Sequence, residues 1–145
     1  MAALILAAVC FYGYPLVVAF SGQVFPVPVH QNIEEIQKVR LLDSSQHTPE
    51  ELRSFDGEEI NGFMERLLAM KAGQYVNDPP TELGPLTVKI DYKDGAVDYI
   101  GSDLCQYMTA SGVEKSRGWY YIGREAMEDL FLKYVDAGDL PDLDK

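Results

Sequence analysis

The sequence predicts an α+β domain: a small antiparallel sheet with two helices on one face, preceded by an N-terminal transmembrane or signal helix. Three observations carry this expectation. Leu86–Ile100, LTVKIDYKDGAVDYI, alternates apolar and polar residues around Asp94-Gly95, as a β-hairpin does. Two later stretches, one opening at Asp56 and one at Glu125, repeat apolar residues at helical spacing. The first charged residue of the chain is Glu34, which leaves a long apolar leader ahead of the domain.

The leader comes first. Ala2–Phe20 is almost wholly apolar and long enough to cross a bilayer as a helix. Pro15 with Gly13 would kink such a helix, which membrane helices tolerate. Residues 1–22 are therefore read as a membrane anchor or signal segment. A cleaved signal peptide competes, because Ala19-Phe20-Ser21 supplies small residues near a cleavage position. A lipoprotein signal ending at Cys10 competes too, although Val9 is bulky for it. So does a buried core element. None of the targeting readings has its basic n-region, so charge sets no orientation. Residues 23–31, with Pro26 and Pro28, read as an extended linker, and 32–145 as the globular domain.

Within the domain, Ile36–Leu42 reads as a strand. Glu51–Phe55 is set as a returning strand, against a helical turn capped by Thr48-Pro49-Glu50-Glu51. Asp56, with Glu59 three residues on, starts a helix whose stripe is Ile60, Phe63, Met64, Leu67 and Leu68, and Gly73 is read as its stop. Gln74–Pro85 reads as a loop. A type I′ turn at Asp94-Gly95 would pair Tyr92 with Val97 and Ile90 with Tyr99. The buried face is then Leu86, Val88, Ile90, Tyr92, Val97 and Tyr99, and Asp91 faces Asp98 on the wet side. Gly101–Met108 offers a further strand or turn, Trp119–Ile122 a short aromatic strand. The last helix, Glu125–Val135, carries Met127, Leu130, Phe131, Tyr134 and Val135 in its stripe and stops at Gly138.

The formal charge of −11 and a pI near 4.4 argue against nucleic acid and against anionic lipid as partners. Nine Tyr and six Phe argue against disorder. Cys10 and Cys105 lie far apart with no metal spacing, and Cys105 reads as a small buried residue. Asp91 begins no calcium loop, since Lys93 and Gly95 stand where oxygen ligands belong. No phosphate loop, GxSxG or HExxH occurs, and the two histidines, His30 and His47, sit in polar segments. Neither a catalytic residue, a cofactor nor a metal set is therefore expected. The one mixed cationic and aromatic surface is Lys115, Arg117, Trp119 and Tyr120, suited to an anionic or sugar-like ligand.

The order of segments has a family likeness. A leader like AALILAAVCF is followed by an IxxIxxVRLLD strand, a DGEEINGFMERLL helix, a TVKIDYKDGAVDYI hairpin and a GWYYIGREAMEDLFLKYV end. Over about Ile33–Val135 this resembles small extracytoplasmic domains of Gram-positive bacteria. Some of these are lipoproteins or anchored proteins, and others are tails of penicillin-sensor-type membrane metallopeptidases. The resemblance implies a protein held at the cell membrane by a single N-terminal span, with its acidic domain outside the cytoplasm, or else secreted. It implies no site residues. The expected function is a non-catalytic binding or sensory module, with the membrane and a protein as partners. The alternative is an acidic inhibitor or immunity-like protein that binds a basic partner.

Overall fold

The computed structural model describes residues 25–75, 80–114 and 119–143. Nine strands and two α-helices are described: β1 (Phe25–Pro26), β2 (Ile36–Asp43), β3 (Glu50–Phe55), α1 (Glu59–Ala69), β4 (Lys71–Tyr75), β5 (Leu86–Tyr92), β6 (Val97–Gly101), β7 (Cys105–Thr109), β8 (Gly112–Glu114), β9 (Trp119–Tyr121) and α2 (Arg124–Phe131). Every strand pairing is antiparallel. The strands form two sheets, of order β3-β2-β5-β6-β7-β8 and β1-β4-β9. The architecture is α+β, as the alternation and the two helical stripes imply. The single sheet expected from the sequence is in fact two.

One core cluster joins both sheets and both helices. Val39 and Leu41 of β2, Leu86, Val88 and Ile90 of β5, and Ile100 of β6 are fully buried. Phe63, Met64 and Leu67 of α1 meet them, as do Met127, Leu130 and Phe131 of α2. Burying each such side chain contributes roughly 1.5–3 kcal/mol, so these stripes rather than helix propensity hold α1 and α2 in place. Leu68, assigned to the α1 stripe, lies outside the core at 41% exposure.

Gly73 does not end α1. The helix stops at Ala69, and Gly73 lies in β4 opposite Tyr121. A Cβ at Gly73 would come within 2.4 Å of the Tyr121 ring, so this glycine admits an aromatic side chain against the backbone. The strand occupies the start of a segment that composition had marked as loop. The second helix is shorter than its stripe: after Phe131 the chain turns, yet Tyr134 and Val135 still pack on the core.

The hairpin holds the main correction. Its register is Asp91↔Val97, Ile90↔Asp98, Lys89↔Tyr99 and Val88↔Ile100, one residue away from a turn centred on Asp94-Gly95. The loop has three residues, Lys93, Asp94 and Gly95. Gly95, at φ +86°, takes the left-handed conformation, and its N–H donates to the Tyr92 carbonyl at 3.0 Å. Tyr92 N–H then donates to the Ala96 carbonyl at 2.9 Å. The Asp94 carboxylate accepts from Ala96 N–H at 2.9 Å and so closes the loop from within. Strand β5 keeps the face expected of it. Strand β6 turns over: Asp98 and Ile100 face the core, and Val97 and Tyr99 face out.

Candidate functional site

The reversed face of β6 puts a carboxylate indoors. Asp98 is 1% exposed. It accepts a hydrogen bond from the Tyr92 hydroxyl at 2.5 Å, one from His30 N–H at 2.9 Å and one from His30 Nδ1 at 2.7 Å. An unpaired buried charge costs several kcal/mol or neutralises, so this set of donors is what lets an aspartate stand there. Each partner is placed by its element. Tyr92 is the last residue of β5, Asp98 lies on the adjoining strand, and Tyr107 of β7 is directly opposite Asp98. The His30 ring lies flat on Tyr107, with centroids 4.3 Å apart and planes 6° off parallel. Gln31 Nε2 donates to the Tyr107 hydroxyl and to the Asp94 carboxylate, both at 3.0 Å.

These contacts strap residues 25–31 across the hairpin. The segment assigned to a linker makes strand β1 with β4, buries Val27 in the core and anchors at His30. Its prolines do withhold donors, but Pro26 sits in the two-residue edge strand β1, where proline is tolerated.

Burial first, and then the hydrogen bond to Asp98, push the Tyr92 phenol well above its ordinary value. Burial, reinforced by the Asp98 charge, pushes the Cys105 thiol up to about 12. A thiol so held is a poor nucleophile at neutral pH. Asp94 moves the other way: the Ala96 N–H and the Gln31 amide stabilise its ionised form and lower its pKa. The hydrogen bonds of this cluster tie His30 and Gln31 to the hairpin. Asp91, the other half of the pair expected to face Asp98, lies on the opposite face between Lys89 and Arg40, each at 3.2 Å. Among the described residues no group of three or more His, Cys, Asp or Glu could hold a metal ion.

A groove of about 630 Å³ opens elsewhere, between β3 and α1. Arg53 and Phe55 of β3, Gly62, Phe63 and Arg66 of α1, and Tyr134 line it. Its floor is aromatic: the Phe55 ring stacks on Phe63 at 4.7 Å and meets Tyr134 edge-on at 5.0 Å. The Arg53 guanidinium stands 5.5 Å over Phe55 and pairs with Glu59 at 3.4 Å. Gly62 is exposed in the middle of α1, and the direction of its missing Cβ has no atom within 4 Å. Glycine there weakens the helix by about 1 kcal/mol relative to alanine, with no packing reason among the described residues. The sequence reading missed this groove; Gly62, a glycine inside the α1 pattern, is the one local signal that could have found it. Strand β3 completes it, and that pairing is a tertiary fact.

Of the ligand surface expected from the sequence, Lys115 and Arg117 lie outside the described residues. Trp119 and Tyr120 are in β9; Trp119 is 43% exposed, and Tyr120 meets Phe25 edge-on at 6.0 Å. The hydrophobic leader also lies outside the described residues. Among those described, no helix is long and apolar enough to cross a membrane. Comparison with family models, with curated proteins and with solved structures found no match to this chain.

Proposed function

We propose that the chain is a non-catalytic binding or sensory module, held at the outer side of the cell membrane by its N-terminal hydrophobic segment, and that its ligand enters the groove between β3 and α1. The observation that carries this reading is Gly62, an exposed mid-helix glycine opening onto a concave surface with an aromatic floor. The leader, almost free of polar residues, supports the anchor, as does the resemblance to extracytoplasmic domains. The buried, high-pKa thiol of Cys105 and the structural use of Asp98 and His30 support a non-catalytic role.

The Gly62→Leu variant tests it, because the leucine fills open space and improves helix propensity by up to about 1 kcal/mol. A panel of small amines, carboxylates and short peptides is titrated into the full chain, and amide NMR shifts are followed. At least one member should shift residues of β3 and α1 saturably, and Gly62→Leu should abolish that response with the melting temperature kept or raised. Turnover of a peptide or cell-wall substrate by the purified chain, lost in one point variant, contradicts the non-catalytic reading. Protease added to intact protoplasts should remove the domain; a protected domain overturns the placement.

A further inference from the structure

From the edge of the large sheet we infer that the ligand is an extended basic peptide, which adds to β3 as a new strand and drops an apolar side chain into the groove. This inference rests on the groove reading above. Strand β3 ends the six-stranded sheet and has β2 as its one neighbour among the described residues. Alternate residues of this strand present backbone donors and acceptors on the side away from β2, interrupted at Leu52, the extra residue between the Leu41↔Arg53 and Leu42↔Glu51 pairs. The groove adjoins this strand, since Arg53 and Phe55 line it. A free edge beside a helix-walled groove is the arrangement that takes a peptide by strand addition: main-chain bonds supply affinity and the groove supplies side-chain choice.

Charge selects the occupant. Strand β3 carries exposed Glu50 and Glu51, and the groove rim carries Glu59 and Glu65, against the guanidiniums of Arg53 and Arg66. The groove lining is balanced, Glu59 and Glu65 against Arg53 and Arg66; the negative surplus comes from Glu50, from Glu51, which pairs with Arg40 at 3.7 Å, and from the chain as a whole at −11. A lysine- or arginine-bearing peptide is thus drawn in, and an acidic one is repelled. Arg53 and Glu59 pair at 3.4 Å, so the two largely cancel within the groove.

Three fluorescent peptides, each about eight residues long like a strand, test this against the full chain in zwitterionic detergent. One alternates valine and lysine. A second has the same sequence with every other backbone amide N-methylated, which removes strand donors. A third alternates valine and glutamate. The lysine peptide should bind saturably and weaken as salt rises. N-methylation should weaken it by about tenfold or more, since each strand bond lost is worth a large part of that factor. The glutamate peptide should bind about tenfold or more weakly, and Gly62→Leu should weaken the lysine peptide while the fold persists. Absence of binding by the lysine peptide overturns the inference, as does equal binding of the N-methylated or glutamate peptide. If N-methylation is without effect but Gly62→Leu still weakens binding, strand addition falls and the groove reading stands. If Gly62→Leu is without effect on a bound peptide, the groove reading falls as well.

Discussion

A single carboxylate shows how this fold uses polar groups. Asp98 is surrounded by core residues, yet three donors converge on it from Tyr92 and His30. Removing one donor to a buried charged acceptor typically costs about 1.5–3 kcal/mol. Tyr92→Phe, which keeps the ring and deletes the hydroxyl, should lower stability by about that amount in urea melts of the full chain. A change below about 0.5 kcal/mol would show that the hydroxyl is not bonded to a buried acid. The pH dependence follows from the same site. Folding raises the pKa of both the Tyr92 phenol and the Cys105 thiol, so the unfolded chain releases these protons first. Their contribution is whole below pH 9.0, the ordinary thiol value, and for Cys105 is lost as pH rises toward about 12. Loss through Tyr92 begins near its ordinary value of 10.0 and continues upward. Alkaline melts should therefore steepen above pH 9, and Cys105→Ala should flatten the first part of that decline. An unchanged profile in Cys105→Ala contradicts the burial of a neutral thiol.

At the scale of elements, the hairpin register decides which residues meet the core. Ile100 is fully buried opposite Val88, whereas Tyr99 faces outward opposite Lys89, whose ammonium lies 5.7 Å from the Tyr99 ring centroid. Ile100→Ala should cost about 2–5 kcal/mol. Tyr99→Ala should cost about 1 kcal/mol or less. The reverse order in urea melts would restore the two-residue turn. This pair also marks what the sequence made legible. Strands β2 and β5 and the two helical stripes, Leu68 apart, follow from local periodicity, and β9 from its aromatic content, whereas the sequence leaves β3 open to a capped helical turn and β7 open to a turn. The register does not, because a three-residue loop and a two-residue turn use the same Asp-Gly signal. Alternation then placed Tyr99 inside because it is the more apolar choice, and Asp98 outside because it is charged. The residue that makes Asp98 tolerable indoors, His30, lies 68 positions away. Strand β4 was hidden for a similar reason: Gly73 reads locally as a helix stop, and only Tyr121 explains it as a strand residue. The groove combines β3, α1 and Tyr134, which no local pattern joins.

For the whole molecule, residues 25–31 are part of the folded body. Val27 enters the core, β1 pairs with β4, and His30 closes on Asp98. The segment read as a linker thus belongs, from residue 25 on, to the body that bears the groove. The inward Asp98 is the centre of this account, because it sets the β6 face and holds the strap together. Amide hydrogen exchange of the full chain, followed residue by residue, examines it most directly. His30 N–H donates to Asp98 Oδ2 at 2.9 Å, so its exchange should be at least about a hundredfold slower than that of an unstructured amide, the factor given by an opening cost of about 2.7 kcal/mol. Asp98→Ala should abolish that protection. A His30 amide that exchanges at the unstructured rate in the unaltered chain would contradict both the strap and the register that turns Asp98 inward.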